Sequence, residues 1–210
     1  MVDISPVESK LIQNLGEATL DLFEANNKLW ETQQATEIDP LTKLPNRQGL
    51  ERRMHQAIEH SRRANEPLSV AFVDTDELKE FNDNYGHDTG DALLRNVAQN
   101  LHLRDTDVVC RYGGDEFVII LVNANTTATD DNNISLGSRL AERLRQQSAS
   151  QPFTYLDKKR QPQQTVVQFS IGFASLEPGD TLESLVARAN AAMFADKNLR
   201  RQDPNLHMRR

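Results

Sequence analysis

The sequence predicts an α/β sandwich, a sheet with helices packed against it, that follows one long N-terminal helix. Three observations support this fold class. Short apolar runs at 68–73 and 117–122 are typical of buried strands. Amphipathic stretches with helical spacing flank these runs, at 50–64 and 182–199. After Pro6, the chain to Glu37 contains no proline and a single glycine, which favours a continuous helix.

Composition limits the classes of protein that fit. The 210 residues suit one domain with an appendage, and 38% hydrophobic with 26% charged residues is a globular balance. The net charge of −7 argues against nucleic acid as a partner, because phosphate binding needs a basic surface. Neither a membrane span nor a signal peptide is recognisable, so we expect a cytoplasmic chain without direct membrane contact. The single cysteine, Cys110, is interpreted as a small buried hydrophobic residue.

Residues 1–38 are predicted to form a coiled-coil helix that pairs with a second copy of the chain. Two seams with heptad spacing run along it and are displaced by one residue. The first seam contains Leu11, Leu15, Ala18, Leu22, Ala25 and Leu29, and the second contains Ile12, Thr19, Phe23, Asn26 and Trp30. Two interpretations remain open: a fixed parallel dimerisation stalk, or a stalk that switches register and transmits an upstream signal.

A second domain is predicted to span residues 39–210, because the two prolines of Asp39–Arg47 end the stalk helix. Its first helix, 50–64, would bury Leu50, Met54, Ala57 and Ile58. The spacing of apolar and turn residues predicts the remaining elements in this order: a strand at 68–73, a helix at 77–85, a loop at 86–90, a helix at 91–101, a hairpin at 107–122, a surface loop at 123–134, a helix at 138–147, a strand at 164–174 paired with 155–156, and a helix at 182–199.

The hairpin carries the clearest functional pattern. Its turn is Gly113-Gly114-Asp115-Glu116, and we expect the glycines to supply positive φ and to let a ligand approach the backbone. Adjacent carboxylates at the tip of a rigid turn repel each other unless a cation is bound there. Asp74 and Asp76 follow the buried strand at 68–73. Carboxylates in such an arrangement can hold magnesium against phosphates.

Residues 111–117, Arg-Tyr-Gly-Gly-Asp-Glu-Phe, resemble the signature of the GGDEF family, the diguanylate cyclases. The similarity covers about 39–202 in five separated blocks. Residues 39–47 resemble Asp-x-Leu-Thr-x-Leu-x-Asn-Arg, and 74–91 resemble Asp-x-Asp-x-Phe-Lys-x-x-Asn-Asp-x-x-Gly-His-x-x-Gly-Asp, with Leu78 replacing Phe. Residues 189–197 resemble Ala-Asp-x-Ala-Leu-Tyr-x-Ala-Lys, and Arg201 matches the arginine of a following Gly-Arg-Asn, whose other positions are Arg200 and Gln202 here.

The resemblance implies a palm-like nucleotide-cyclase fold with a mainly antiparallel central sheet of about five strands. It implies two Mg²⁺ ions, for which Mn²⁺ is an expected substitute, held by Asp74, the carbonyl of Thr75, Asp115 and Glu116. Either hairpin carboxylate could accept the proton of the attacking 3′-hydroxyl, and the resemblance favours Asp115. Lys79 would join them as a catalytic residue. The other expected GTP-binding residues are Leu78, Asn82, His87, Asp91, Gly113, Gly114, Lys197 and Arg201.

The implied reaction condenses two GTP into cyclic di-GMP and releases two pyrophosphates. Asp91 can accept from the N1–H and N2–H₂ donors of guanine while Asn82 binds another edge, so we expect ATP to be disfavoured. Each protomer of a homodimer would present one GTP, under control of an upstream sensory domain. Arg104 and Asp107, with Arg143, match the family's inhibitory product site for cyclic di-GMP.

Two other classes of function remain to be weighed. In a non-catalytic receptor, a decayed domain would bind GTP or cyclic di-GMP and only transmit a signal. Decay should remove Asp74 or the hairpin carboxylates, and all of them are present. A coiled-coil dimerisation module would explain only about the first forty residues. The sequence therefore favours an active, dimeric cyclase.

Overall fold

A computed structural model describes residues 10, 12, 14–16, 18–23, 37–101 and 104–202. The central sheet has four antiparallel strands in the order β2-β3-β1-β6, and β4 and β5 form a separate hairpin. The strands are β1 Leu68–Thr75, β2 Val108–Gly113, β3 Glu116–Val122, β4 Phe153–Leu156, β5 Pro162–Thr165 and β6 Phe169–Ser175. The helices are α1 Arg47–Ala64, α2 Leu78–Tyr85, α3 His87–Asn100, α4 Leu136–Ser150 and α5 Leu182–Gln202.

The described residues between 10 and 23 are helical, and their large apolar side chains are exposed. Ile12 and Leu15 are 61% and 66% exposed, and Leu22 and Phe23 are 71% and 63% exposed. These four belong to the two predicted seams. Ala18 and Thr19 of the seams are also described and exposed. The seam positions Leu11, Ala25, Asn26, Leu29 and Trp30 lie outside the described residues, so the coiled coil stays a prediction. Over the described part of the chain, no helix is long and apolar enough to cross a membrane.

Strand β1 organises the domain, as its continuous apolar sequence predicts. All eight of its residues are buried, and it pairs with β3 on one side and β6 on the other. Alternate side chains enter two cores because successive residues of a strand point to opposite faces. Ala71 and Val73 pack with the core that contains α3, while Val70 and Phe72 pack with the core between the sheet, α1 and α5. The sheet with helices on both faces confirms the predicted fold class.

Three details of the sequence prediction were wrong. The strand at 164–174 is two strands, since β5 ends at Thr165 and β6 starts at Phe169. The carbonyl of Val167 accepts a hydrogen bond from the Ser148 hydroxyl, and the carbonyl of Gln168 accepts one from the Asp76 N–H. These bonds interrupt the strand between β5 and β6. The loop at 86–90 is a single residue, because Gly86 at φ 86° separates α2 from α3 by itself. The central sheet has four strands rather than about five.

Helix α5 lies very close to β6 at Gly172. A Cβ added at Gly172 would overlap the backbone N of Met193 and the backbone O of Ala189. Because backbone cannot rotate away, we expect Gly172→Ala to push α5 off the sheet and to lower the free energy of unfolding by about 3 kcal/mol. Urea unfolding followed by circular dichroism measures this. An unchanged unfolding midpoint would contradict the close packing.

Candidate active site

The carboxylates predicted from the hairpin and from β1 meet at one edge of the sheet. Asp74 and Glu116 are directly opposite each other in the β1–β3 pair. The backbone N–H of Thr75 donates to the carbonyl of Asp115 at 3.0 Å, which fixes the turn against the end of β1. The structure therefore brings Asp74, Thr75, Asp115 and Glu116 together.

The turn between β2 and β3 does not use its glycines as expected. Neither Gly113 nor Gly114 has a positive φ, so that part of the prediction was wrong. An irregularity between Arg111 and Gly113 leaves Tyr112 without a partner on β3, and this bulge adapts the strands to the turn. The glycines instead keep the tip open. A Cβ at Gly114 would meet nothing within 4 Å, and one at Gly113 would lie 3.2 Å from Glu116 Oε2.

Lys197 of α5 provides the positive charge that faces this edge. Its Nζ lies 2.5 Å from Asp74 Oδ1, and the Asp74 side chain is only 9% exposed. Burial raises the pKa of Asp74, and Asp115 and Asp76 raise it further by repulsion, against the opposing effect of Lys197. Burial also raises the pKa of Glu116, with Asp115 and Asp74 adding repulsion. One lysine thus offsets only part of the negative charge.

This donor set fits a divalent cation. Carboxylate and carbonyl oxygens are the ligands that Mg²⁺ prefers, and here they are crowded enough to repel one another. Over the described residues, no three His, Cys, Asp or Glu side chains are already gathered as a metal-binding group. The carbonyl of Thr75 and a reoriented Asp115 could complete the set once Lys197 leaves Asp74.

The raised pKa of Glu116 gives a pH-dependent stability. Its folded-state pKa lies above the ordinary value of 4.5, so the folded chain binds this proton more tightly than the unfolded chain. The free energy of unfolding should therefore fall as pH rises from 4.5 through the raised pKa of Glu116. Glu116→Gln should lose this contribution. Urea unfolding of both proteins in the presence of a metal chelator measures it, and identical pH profiles would contradict the raised pKa of Glu116.

A second group of predicted residues lies on α2 and α3. Asn82 packs against Gly90, where an added Cβ would overlap its amide, and Asp91 follows Gly90 directly. The buried Oδ1 of Asn82 accepts no hydrogen bond from the residues that the structure describes. Leu78 is buried at the start of α2, whereas Lys79 and His87 are exposed. The structure thus places the Asn82 side chain against Gly90, next to Asp91 in the chain.

The family can be decided from this geometry and the motifs together. The sequence profile of the family described as diguanylate cyclase, GGDEF domain, matches residues 36–203. The chain belongs to the GGDEF domain family. Its four-stranded antiparallel sheet with flanking helices agrees with the solved GGDEF structures.

Curated relatives of this GGDEF domain include diguanylate cyclase DosC of Escherichia coli, 36% identical over 162 residues. That match covers 76% of this chain and 33% of DosC. The response regulator PleD of Caulobacter vibrioides is 33% identical over 174 residues, which are 81% of this chain and 36% of PleD. The chain thus spans about a third of the length of these relatives.

Solved structures show the same fold. The coiled coil and GGDEF domain of DgcB from Caulobacter crescentus, in complex with c-di-GMP, gives a TM-score of 0.71 at 25% identity. The match covers 90% of this chain and 94% of that one. Diguanylate cyclase SiaD from Pseudomonas aeruginosa, in complex with its activator SiaC, gives 0.66 at 27% identity and covers 91% of this chain and 71% of that one.

Two links of this GGDEF domain were missed at the level of sequence. Arg111 binds both oxygens of Asp39 at 3.0 and 3.1 Å and donates to the carbonyl of Gly114 at 2.8 Å. Burial raises the pKa of Asp39, but bonds from Thr42 and Arg111 outweigh it and hold the pKa below its usual range. The segment that precedes α1 is therefore tied directly to the turn. Asp39 and Arg111 both stand in the matched motifs, which was the available signal.

The second missed link orients Asp76. The hydroxyl of Ser170 on β6 donates to Asp76 Oδ1 at 2.6 Å, and the Asp76 N–H donates to the carbonyl of Gln168. These bonds hold Asp76 toward β6, beside the site rather than opposite Glu116. No sequence pattern relates Ser170 to Asp76, which are 94 residues apart.

The residues of the predicted product site are only partly brought together. Arg104 binds both oxygens of Asp107, at 2.6 and 3.1 Å, and also donates to the carbonyl of Val122. The Asp107 side chain is fully buried, so this pair also ties the start of β2 to the end of β3. Arg143 is exposed on α4 and has no ion pair with the described residues. Arg201 is likewise exposed near the end of α5.

Proposed function

We propose that this chain is a diguanylate cyclase that condenses two GTP into cyclic di-GMP with release of two pyrophosphates. The observation that carries the proposal is the position of Asp74 opposite Glu116, with Asp115 bound through its backbone to Thr75 and with Lys197 facing Asp74. Membership of the GGDEF family and similarity to curated cyclases support the same reaction. Asp74, Asp115 and Glu116, which a decayed receptor would be expected to lose, are all present.

Asp74, the carbonyl of Thr75, Asp115 and Glu116 would hold two Mg²⁺ ions. Bound there, the ions supply Lewis-acid polarisation of the α-phosphate and lower the pKa of the attacking 3′-hydroxyl. A hairpin carboxylate takes the proton of that hydroxyl, and Asp115 is the acceptor that the resemblance favours. When GTP binds, Lys197 leaves Asp74 and pairs with the triphosphate. Lys79 and Arg201, which are exposed on α2 and α5, neutralise charge as pyrophosphate leaves.

Guanine is selected by hydrogen-bond donors that adenine lacks. Asp91 accepts from N1–H and N2–H₂, and the Asn82 amide binds another edge. ATP would leave the Asp91 carboxylate unpaired in a partly enclosed site, which is costly. Leu78, His87, Gly113 and Gly114 complete the walls of the site.

The product contains two guanosines, so two domains must meet face to face. Residues 1–38 form the dimerisation helix in this proposal, and 39–210 form the cyclase domain. Ile12, Leu15, Leu22 and Phe23, all exposed in the single chain, supply apolar surface for a second copy. The dimer raises the effective concentration of one loaded site at the other. An upstream sensory part would act through the helix and the Asp39–Arg111 link.

The proposal is tested by incubating the purified chain with GTP and Mg²⁺ over a range of protein concentrations. We expect cyclic di-GMP by chromatography, at a rate per protomer that rises until dimers are saturated, and no comparable product from ATP. A chain that is dimeric by light scattering and binds GTP, yet forms no cyclic di-GMP, would contradict the proposal and favour the receptor.

Product feedback is a further part of the proposal. Cyclic di-GMP would bind Arg104 and Asp107, with Arg143 closing onto it from α4. Because Arg104 is the partner of the buried Asp107, circular dichroism must first show that Arg104→Ala is folded. We expect the folded variant to turn over GTP and to become at least about tenfold less sensitive to added cyclic di-GMP. Initial rates of pyrophosphate release against product concentration measure this. Arg139→Ala, which removes an exposed arginine of α4 paired with Asp130, is the control. Unchanged inhibition of Arg104→Ala would refute the site.

A further inference from the structure

The end of α5 that carries Lys197 and Arg201 is not held by apolar packing. The buried apolar residues of α5 all lie in its first part: Leu182, Leu185, Val186, Ala189 and Met193. From Phe194 to Gln202, the one buried residue is Arg200, at 7% exposure. Phe194 and Leu199 are 51% and 61% exposed. Some other interaction must therefore fix this end of the helix.

Asp196 makes that interaction. Its carboxylate accepts the backbone N–H of Ile171 on β6 at 2.9 Å and binds Nη2 of Arg145 on α4 at 3.0 and 3.2 Å. Arg200, one helical turn further, places its Nε 3.5 Å from the same carboxylate. We call Arg145, Asp196 and Arg200 the charged cluster. It connects the end of α5 to β6 and to α4 at once.

The charged cluster contains two of the positions at which residues 189–202 depart from the family pattern that they resemble. In that pattern alanine precedes the lysine and glycine precedes the arginine, where this chain has Asp196 and Arg200. The two replacements have opposite charge and are four residues apart, so they face each other along one side of the helix. Two complementary replacements that pair with each other and with α4 indicate a specific role in this chain.

Asp196 is the member on which the cluster depends. Burial lowers the pKa of Arg200, and repulsion from Arg145 lowers it further, while Asp196 opposes both. Without Asp196, the two guanidinium groups would face each other without their shared carboxylate. The backbone N–H of Ile171 would lose its partner as well. Loss of one carboxylate should therefore loosen α5 from both of its neighbours.

The contact between Asp196 and the backbone N–H of Ile171 lies beside the candidate site. Ile171 is the register partner of Val73, and Val73 directly precedes Asp74. Asp196 and Lys197 are consecutive, so their side chains leave the helix about 100° apart. The hydrogen bond from the Ile171 N–H to Asp196 therefore holds α5 in one rotation about its axis. In that rotation Lys197 points at Asp74, 2.5 Å away.

We propose that Asp196 is a positioning residue that holds the end of α5 through Ile171 and Arg145 and thereby directs Lys197 at the triphosphate. The part that concerns the triphosphate rests on the proposed function. Asp196→Ala restores the residue of the family pattern, so the variant is expected to fold. Arg145→Ala removes the same ion pair from the α4 side.

The first test needs no nucleotide. The rate at which a lysine-acylating reagent labels Lys197, followed by mass spectrometry, should rise about fivefold in both variants, because Lys197 leaves Asp74 more often. Amide hydrogen exchange over 194–202 should rise with it. Arg139→Ala, which removes an ion pair from the same helix α4, should change neither rate. Unchanged labelling and exchange in Asp196→Ala would overturn the proposal, whether or not the chain turns over GTP.

The second test separates positioning from general loosening. Asp196→Ala should raise KM for GTP about fivefold, and it should add nothing to KM in a Lys197→Ala background. A KM effect that persists in full without Lys197 would overturn the proposal. Failure of the proposed function gives a different result, since the wild-type chain would then form no cyclic di-GMP while the labelling and exchange rates still respond.

Discussion

Asp74→Asn is expected to lower the rate of cyclic di-GMP formation by about 10³-fold or more while the chain remains folded. Asp74 stands at the end of the central strand, directly opposite Glu116. An amide has the same shape but neither the charge nor the two oxygens that hold a divalent cation. Burial is the main cause of the raised pKa of Asp74, so removal of the charge costs the fold little.

Pyrophosphate release with saturating GTP and Mg²⁺ measures the effect, and circular dichroism establishes that the variant is folded. Asp131→Asn, the same chemical change at an exposed loop position, is the matched control and should keep its full rate. A folded Asp74→Asn variant with a rate within tenfold of the wild type would show that the carboxylate cluster is not the site of the chemistry.

Gly90→Ala should weaken GTP binding while making its helix more stable. The added Cβ would overlap the Asn82 amide, and that side chain, unlike backbone, can rotate out of the way. If Asn82 binds guanine as proposed, displacing its amide should raise KM for GTP by about 10-fold to 100-fold. In contrast, alanine is favoured over glycine inside a helix by about 1 kcal/mol, so the melting temperature should not fall.

A double variant isolates this cause. If Gly90 only makes room for Asn82, then Gly90→Ala should not change KM further in an Asn82→Ala background. Steady-state kinetics of the four proteins measure the coupling. Fully additive effects would mean that Gly90 acts on the nucleotide by another route, for example through Asp91.

Periodicity was sufficient for the parts of the fold where apolar burial dominates. The run at 68–73 predicted the central strand, and the spacing of Leu50, Met54 and Ile58 predicted the buried face of α1. Periodicity failed where a few residues set the boundary between two elements. Gly86 ends one helix and permits the next, and the chain between Thr165 and Phe169 leaves one sheet for another without any proline or glycine to indicate it.

The site shows the same division. Motif matching predicted Asp74, Asp115, Glu116 and Lys197, because these residues stand at fixed places in continuous patterns, and the structure brings them together. It did not predict the bonds between Ser170 and Asp76 or between Arg145 and Asp196, which are 94 and 51 residues apart. Such contacts depend on tertiary packing that one sequence does not encode locally. The roles assigned to all of the site residues, including His87, Arg143 and Arg201, stay predictions.

The stoichiometry of the reaction distinguishes a diguanylate cyclase from an enzyme that only hydrolyses GTP. The purified chain is incubated with GTP and Mg²⁺, and pyrophosphate and cyclic di-GMP are quantified together, with Asp74→Asn as the blank. We expect about two pyrophosphates for each cyclic di-GMP, and neither product from Asp74→Asn. Release of inorganic phosphate and GDP instead, or equal turnover by Asp74→Asn, would contradict it.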